Sequence, residues 1–219
     1  MISILITATN TDIGKTYTSL KLIDAFADLG YRVGVMKPIE TGVEEKPLDA
    51  TLLLTAAKKV NPDFHSRTIE DICPIQFSLP AAPFVAKKEE RIDFTKLKMA
   101  QKKLSKYCDI LLIESAGGLM TPVDGDFIMM DFIHFFNATP LLISDDQLGC
   151  INNTRLNLAL LPKNTLWCIN KKSRDGSFES VSLPYFQAKY AQVFTIQDDL
   201  KEIANSLLSR SQESNLSAD

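Results

Sequence analysis

The stretch that decides the fold is Ile2-Ser-Ile-Leu-Ile-Thr-Ala-Thr-Asn-Thr-Asp-Ile-Gly-Lys-Thr16, near the amino terminus. Its first part, Ile2 to Thr9, is nearly all apolar or β-branched and predicts a strand covered on both faces. Gly14-Lys-Thr16 follows a short polar loop and opens an amphipathic helical pattern from Lys15 to Leu29. Gly-Lys-Thr between a strand and a helix is typical of a phosphate-binding loop, whose backbone N–H groups and lysine receive phosphates. The stretch therefore predicts nucleotide binding at the start of this helix.

Within this loop, we expect Lys15 to reach the β and γ phosphates and the Thr16 hydroxyl to bind Mg²⁺. The first glycine of the usual G-x4-G-K-[ST] pattern would fall at Thr9, so the loop departs from that pattern. The alternative is that Lys15 and Thr16 are only the solvated first turn of a helix. A second element favours a nucleotide site, because the apolar run Cys108 to Glu114 ends in a carboxylate where Mg²⁺ would need one.

Six runs rich in β-branched and apolar residues predict strands, and helical patterns such as Phe94 to Tyr107 lie between them. Such alternation predicts an α/β fold of the P-loop NTPase type, with a doubly wound, mostly parallel sheet, helices on both faces, and a ligand site beyond the carboxyl ends of the strands. We expect a single domain over residues 1–208 and a polar tail over residues 209–219. The predicted strands are Ile2 to Thr9, Val33 to Ile39, Cys108 to Ser115, Thr139 to Ser144, Thr165 to Asn170 and Gln192 to Ile196.

Composition limits the partners and the cellular compartment. The chain has 219 residues, is 45% hydrophobic, and carries a formal net charge of −3, so nucleic acid and anionic membrane surfaces are not expected to bind it. No apolar run is long enough to cross a bilayer. The four cysteines are widely spaced and there are only two histidines, which excludes a disulfide scaffold and a His-rich metal site. We therefore expect reduced thiols and a cytoplasmic protein.

Four segments occur in an order and spacing that resemble the dethiobiotin synthetases. They cover roughly residues 2 to 170, and the combination is highly specific. The first departs from the family pattern at Ala8 and Asn10. The segments are Ala8-Thr-Asn-Thr-Asp-Ile-Gly-Lys-Thr16 for G-T-D-T-x-x-G-K-T, Lys37-Pro-Ile-Glu-Thr-Gly42 for K-P-[VI]-x-[ST]-G, Glu114-Ser-Ala-Gly-Gly118 for E-[GS]-A-G-G, and Leu148-Gly-Cys-Ile-Asn152 for L-G-C-I-N.

The resemblance implies ring closure of 7,8-diaminononanoate with CO2, dependent on ATP and Mg²⁺, which gives dethiobiotin, ADP and phosphate in biotin synthesis. In the family mechanism, a substrate amine takes up CO2 as a carbamate and the γ-phosphoryl group passes to a carbamate oxygen. The second amine then attacks this mixed anhydride and expels phosphate. The resemblance also implies a homodimer, in which the segment from Gly149 to Asn152 reaches the carboxylate of the substrate bound to the partner. A helix is expected to start near Asn152 or Asn153.

The resemblance also implies roles for individual residues. Lys37 and Lys15 are the implied catalytic residues, and Lys37 faces the carbamate and the γ-phosphate. Thr16, Asp49 and Glu114 match the magnesium ligands. The implied substrate residues are Thr11, Thr41, Gly118, Gly149, Cys150 and Asn152. The implied nucleotide-binding residues are Asp12, Ile13, Gly14, Lys15, Thr16, Tyr17, Asp49, Glu114, Ser115, Ala116, Gly117, Asn170 and Lys171.

Simpler alternatives stay open for several of these residues. Asp49 would serve well as a helix N-cap alone, and Lys37 as an ordinary solvated lysine. Cys150 fits a packed small residue better than a nucleophile. Asn170 matches the family residue that reads adenine, but Val193 to Asp198 lacks the Gly-x-[IV]-Pro segment that completes the base pocket in many relatives. We therefore predict weak discrimination between ATP and other nucleoside triphosphates.

Three other functional classes compete with the synthetase. A partition-type ATPase switch carries K-G-G-x-G-K-[ST], whose first lysine would fall at Asn10, and the absence of that lysine argues against this class. An amidoligase relative, which activates a carboxylate, would need a glutamine-hydrolysing domain or an ammonia source, and 219 residues leave little room for such a domain. A nonenzymatic nucleotide-binding module remains an alternative.

Overall fold

The computed structural model describes residues 1–173 and 176–216. The strands are β1 (Ile2–Ala8), β2 (Val33–Met36), β3 (Ile39–Thr41), β4 (Ile75–Phe77), β5 (Ile110–Glu114), β6 (Pro122–Asp124), β7 (Phe127–Ile128), β8 (Thr139–Asp145), β9 (Leu166–Asn170) and β10 (Phe194–Thr195). The α-helices are α1 (Lys15–Asp28), α2 (Leu48–Val60), α3 (Ile69–Ile72), α4 (Pro83–Ala86), α5 (Phe94–Leu104), α6 (Phe132–Phe135), α7 (Cys150–Leu160), α8 (Ser177–Val181), α9 (Leu183–Lys189) and α10 (Leu200–Leu216). Short 3₁₀ turns cover Pro62–Phe64, Ser105–Tyr107 and Met129–Asp131.

The central sheet has six strands in the order β10-β9-β8-β1-β5-β2, and every pair is parallel. Consecutive side chains of a strand point to opposite faces. In β1, the consecutive residues Ile4, Leu5 and Ile6 are all fully buried, so both faces of the sheet are covered. Helix α1 lies against the sheet and contacts both α2 and α10, while α5 packs against β2 and α7 against β8. The predicted doubly wound α/β fold is confirmed.

Parallel pairing brings the carboxyl ends of the strands to one edge of the sheet. The loop after β1 leads into α1, β5 ends at Glu114, and β9 ends at Asn170. Lys37 directly follows β2. These ends belong to separate parts of the sequence, and the edge of the sheet is where they come together.

The predicted strand Val33 to Ile39 is wrong as a single element. Strand β2 ends at Met36, and Lys37 and Pro38 separate it from β3, which pairs in parallel with β4 outside the central sheet. Proline lacks the N–H that a sheet ladder needs, which explains the break. Residues 71–84 hold three prolines, which predicts an extended connection without helix. The segment contains the strand β4, but α3 ends and α4 begins within it.

Two further boundaries differ from expectation. The helix predicted to start near Asn152 begins at Cys150, because Gly149 adopts the N-cap position. The polar tail predicted from residue 209 begins inside α10, where Ser211, one turn after the buried Leu207, is itself buried and hydrogen-bonds Thr139. The buried face of the helix thus continues past residue 208. Residues 217–219 of the predicted tail lie outside the described residues. None of the helices within residues 1–173 and 176–216 combines the length and the hydrophobicity that a membrane span requires.

Candidate active site

The loop between β1 and α1 is shaped by one glycine. Gly14 is the N-cap of α1 and has a φ of +107°, in the left-handed region that favours glycine. A Cβ placed on it would lie 2.2 Å from Nδ2 of Asn170. Ala8, which replaces a glycine of the family pattern, is the last residue of β1 and pairs with Ile143 in the sheet, so its strand conformation accommodates a Cβ.

Lys15 is a buried cation in the first turn of α1. Its side chain is 8% exposed, and Nζ lies 3.4 Å from the carbonyl oxygen of Asn10. Burial and, after it, the positive charge of Lys37 together lower the pKa of the Lys15 ammonium to about 8, against the opposing effect of Glu114 and Asp49. A lysine that lacks a strong counter-charge beside a helix N-terminus is well suited to receive an anionic phosphate.

Lys37 is held by two carboxylates. Its side chain is 3% exposed, and Nζ donates to Glu114 Oε1 at 2.6 Å and to Asp49 Oδ2 at 2.9 Å. Burial alone would lower the pKa of Lys37, but the charges of Glu114 and Asp49 raise it above its ordinary value. Lys37 therefore keeps its positive charge throughout the neutral pH range. The alternative that it is an ordinary solvated lysine is wrong.

Side-chain oxygens of Thr16, Asp49 and Glu114 converge beside Lys37. Thr16 Oγ1 lies 2.9 Å from both Asp49 Oδ1 and Glu114 Oε1, and Ser19 Oγ donates to Glu114 Oε2 at 2.8 Å. A hydroxyl has a single proton, so Thr16 can donate to only one of these carboxylates at a time, and the other contact brings two acceptor oxygens together.

This surplus of acceptors fits a hard divalent cation such as Mg²⁺, which binds oxygen ligands and usually keeps waters and phosphates in its shell. Within residues 1–173 and 176–216, no group of three or more His, Cys, Asp or Glu side chains is arranged to hold a metal. One hydroxyl and two carboxylates would therefore need phosphate oxygens and water to complete an octahedral shell.

Asp49 does not cap its own helix. It is the second residue of α2, whose N-cap position is Pro47, and its carboxylate points to Thr16 and Lys37. Burial alone would raise the pKa of Asp49, but Lys37 lowers it below its ordinary value. The cap is supplied by Glu40, which accepts hydrogen bonds from the backbone N–H groups of Asp49 and Ala50. Burial raises the pKa of the Glu40 carboxyl, although those two N–H groups oppose the shift.

A cleft of about 370 Å³ opens at this edge of the sheet. Of the residues that line this cleft, Glu40 is the one that was not predicted as a site residue. It occupies the unspecified position x of the motif K-P-[VI]-x-[ST]-G, between Lys37 and Thr41. Glu114 and Ser115 lie beneath the cleft, 1% and 2% exposed. The lining residues are Thr11, Asp12, Gly14, Lys15, Thr16, Lys37, Glu40, Thr41, Asp49, Ala116 and Gly117.

The predicted adenine side of the site lies at the ends of β9 and β10. Asn170 is 4% exposed, and its Nδ2 donates to the carbonyl of Ile13 at 2.8 Å. The Gln197 side chain donates to Asn170 Oδ1 at 2.8 Å and accepts from the backbone N–H of Lys171 at 3.1 Å. The Gln197 side chain thus connects Asn170 to the backbone of Lys171. Tyr17, also predicted to bind nucleotide, is 41% exposed on α1.

The remaining predicted substrate residues lie outside the cleft. Gly118 lines a neighbouring groove of about 350 Å³, and its N–H donates to Thr121 Oγ1 at 3.0 Å. Gly149, Cys150 and Asn152 form the N-terminal end of α7. Cys150 is 1% exposed, and burial raises the pKa of its thiol, as expected of a packed residue and not of a nucleophile.

Solved structures of low sequence identity share the fold. A plasmid partition protein from Borrelia burgdorferi superposes with a TM-score of 0.56 at 12% identity, covering 97% of this chain and 98% of that one. The MinC:MinD cell division protein complex of Aquifex aeolicus gives a TM-score of 0.50 at 15% identity, covering 94% of this chain and 86% of that one. At such identities the similarity concerns the P-loop NTPase fold alone.

Sequence relatives are far closer. A family model described as an AAA domain matches residues 3–170. The ATP-dependent dethiobiotin synthetase BioD of Sulfurovum sp. (strain NBC37-1) is 43% identical over 210 residues, which cover 94% of this chain and 100% of that protein. The ATP-dependent dethiobiotin synthetase BioD of Wolinella succinogenes is 36% identical, with 93% of this chain and 97% of that protein covered. The chain therefore belongs to the ATP-dependent dethiobiotin synthetase family.

Proposed function

We propose that this protein closes the ureido ring of dethiobiotin from 7,8-diaminononanoate, CO2 and ATP, with Mg²⁺. The observation that carries the proposal is that Lys15, Lys37, Thr16 and Asp49 line one cleft, and that the buried carboxylate of Glu114 contacts both Thr16 and Lys37. Two cations and a magnesium-type donor set are what a phosphoryl transfer between two anions requires.

In this proposal, one substrate amine adds to CO2, loses a proton and becomes a carbamate. The γ-phosphoryl group passes from ATP to a carbamate oxygen, leaving ADP. The second amine then attacks the carbamate carbon, the C–O bond to phosphate breaks, and a proton leaves the attacking nitrogen. Each step gathers negative charge near Lys37, which is buried and fixed in position and can stabilise this charge without reorganisation.

Lys15 has the complementary task on the nucleotide side. Its ammonium lies at the N-terminus of α1, where backbone N–H groups are free to bind phosphate oxygens. Thr16, Asp49 and Glu114 would hold Mg²⁺, which supplies charge neutralisation and orientation of the phosphates when it is bound. Thr11 and Thr41 line the same cleft and are assigned to the diamine substrate.

The protein is proposed to act as a homodimer whose interface includes the groove beside Gly118. Met120 is 61% exposed, Leu156 60% and Leu160 47%, and all three line this groove. Adjacent exposed apolar side chains of this kind mark protein interfaces. Leu148, 91% exposed, precedes α7, the helix implied to reach the substrate of the partner. A two-fold interface would bring the same surface of a second copy onto this groove.

A reducing compartment is also proposed, namely the cytoplasm. All four cysteines are buried as free thiols. Such thiols persist where glutathione and thioredoxin keep cysteines reduced.

Product identification tests the proposed reaction. The purified protein is incubated with the diamine, Mg²⁺, ATP and ¹³C-bicarbonate, and the products are analysed by mass spectrometry. We expect dethiobiotin carrying a single ¹³C in its ureido carbonyl. The ring-closing activity would be refuted if the ¹³C label appeared only in an open-chain carbamate, or in no product at all.

A further inference from the structure

Glu40 is a buried carboxylate of the cleft to which the proposed mechanism gives no task. It lies in the middle of β3, between Lys37 and Thr41 in sequence, and is 6% exposed. Its Oε1 accepts a hydrogen bond from the backbone N–H of Asp49 at 3.0 Å, and its Oε2 accepts one from the N–H of Ala50 at 2.9 Å. Both oxygens are therefore directed at the first turn of α2.

Helix α2 has no cap of its own. Its N-cap is Pro47, which has no side-chain hydrogen-bonding group, and the N–H groups of the first turn lack intrahelical partners. Asp49 and Ala50 are the second and third residues of the helix, whose N–H groups an N-cap side chain would normally bond. Glu40 fills this role from a different element, and its negative charge also faces the positive end of the helix dipole.

Asp49, whose backbone N–H donates to Glu40, also places its side chain in the cleft. The carboxylate of Asp49 bonds Thr16 Oγ1 and Lys37 Nζ, both at 2.9 Å. In the connection from β3 to α2, residues 44–46 are exposed. The two hydrogen bonds from Glu40 are thus a direct link between the strand that follows Lys37 and the helix that carries Asp49.

We propose that Glu40 is a positioning residue for the metal–nucleotide site: by binding the first turn of α2, it sets the place of the Asp49 carboxylate relative to Thr16 and Lys37. The proposal rests on the proposed function in one respect, namely that Asp49 is a ligand of Mg²⁺. Outer residues that orient metal ligands commonly change metal affinity by about 10- to 100-fold when they are removed.

The test measures metal binding directly, with Mn²⁺ as the probe and the protein saturated with ADP, by electron paramagnetic resonance titration. For Glu40→Ala, we expect Mn²⁺ affinity to fall by about 10- to 100-fold while ADP affinity without metal changes by less than about threefold. Glu40→Gln keeps one acceptor oxygen and should show a smaller loss. This variant also keeps the volume of the side chain, so it serves if Glu40→Ala does not fold.

Asp93→Ala is the matched control. Asp93 also caps a helix with a carboxylate, accepting from the N–H of Lys96 at 2.9 Å, and it caps α5 instead of α2. Loss of either cap should lower the thermal midpoint by about 2 to 4 °C. Only the Glu40 variant should weaken Mn²⁺ binding. If both variants lower the midpoint and neither changes Mn²⁺ affinity, Glu40 is only a helix cap and the proposal is wrong.

A double variant tests the route through Asp49. If Glu40 acts by placing that carboxylate, Glu40→Ala combined with Asp49→Asn should bind Mn²⁺ no more weakly than Asp49→Asn alone. If the losses of Mn²⁺ affinity in the two single variants add up fully in the double variant, Glu40 and Asp49 act independently and the proposal is wrong. Failure of the proposed function looks different: the wild type would bind Mn²⁺ and ADP normally and still form no dethiobiotin.

Discussion

Replacement of Lys37 by methionine tests the electrostatic core of the site. The change keeps most of the side-chain volume and removes the ammonium that lies 2.6 Å from Glu114 and 2.9 Å from Asp49. Glu114 is 1% exposed, so its charge would be left buried beside a second carboxylate. Breaking a buried ion pair in this way costs about 3 to 5 kcal/mol of the free energy of unfolding.

For a chain of this size, that cost corresponds to a thermal midpoint lowered by roughly 6 to 20 °C, at about 2 to 4 °C per kcal/mol. The loss should be largest without divalent cation, and Mg²⁺ with ADP should recover part of it, since the cation neutralises the same carboxylates. Loss of a preorganised charge at the reacting groups should lower kcat by about 10² to 10³-fold. ATP affinity should change by less than about tenfold, because Lys15 and the backbone of the loop keep their contacts.

Turnover is measured as phosphate release at saturating diamine, ATP affinity by calorimetry, and stability by thermal unfolding. Lys59→Met, at an exposed position in the last turn of α2, is the control and should leave all three unchanged. The reasoning is refuted if Lys37→Met weakens ATP binding by far more than about tenfold while kcat at saturating ATP stays near that of the wild type. It is also refuted if stability without divalent cation equals that of the wild type.

Three further predictions concern other parts of the site. The pKa of Lys15 is about 8 in the absence of nucleotide, and a bound phosphate favours the charged form of this lysine. Lys15 should therefore take up about half a proton when ATP binds at pH 8 and about a tenth of a proton at pH 7. Calorimetry in buffers of different ionisation enthalpy measures this proton uptake, and equal uptake at both pH values would contradict the prediction. With Gln197 bonded to Asn170 and no Gly-x-[IV]-Pro segment, turnover with GTP, CTP or UTP should stay within about 100-fold of that with ATP, whereas uniform rejection by about 10⁴-fold would count against this. Leu156→Glu should convert a dimer to a monomer by light scattering and reduce turnover, and an unchanged dimer would place the interface elsewhere.

Much of the site could be predicted because its residues follow strand ends and local motifs. A buried strand reads as a continuous apolar run, and the residue after it must lie at the edge of the sheet. Lys15, Thr16 and Glu114 were predicted in this way, whereas Lys37 lay inside a predicted strand and was assigned from the family resemblance. Thr16, Lys37 and Glu114 meet in the structure, and Lys15 lines the same cleft.

The features that were missed depend on non-local partners. Glu40 caps a helix that begins eight residues later, and a cap from another element leaves no local pattern. The sequence signal for a cap from elsewhere was that α2 begins after Pro47, without Ser, Thr, Asp or Asn at its N-cap.

Two element boundaries were also missed. The break between β2 and β3 had a local signal at Pro38, whereas the pairing of β3 with β4 is set by tertiary packing. The continuation of α10 past residue 208 depends on the burial of Ser211, which polar composition hides.

The central claim is that this cleft couples ATP cleavage to ring closure. Its most direct test is phosphate release by the purified protein with ATP, Mg²⁺ and bicarbonate, with and without 7,8-diaminononanoate, alongside dethiobiotin measured in the same samples. We predict that phosphate release requires the diamine and equals the dethiobiotin formed, mole for mole. Phosphate release that is independent of the diamine, with no dethiobiotin produced, would contradict the account.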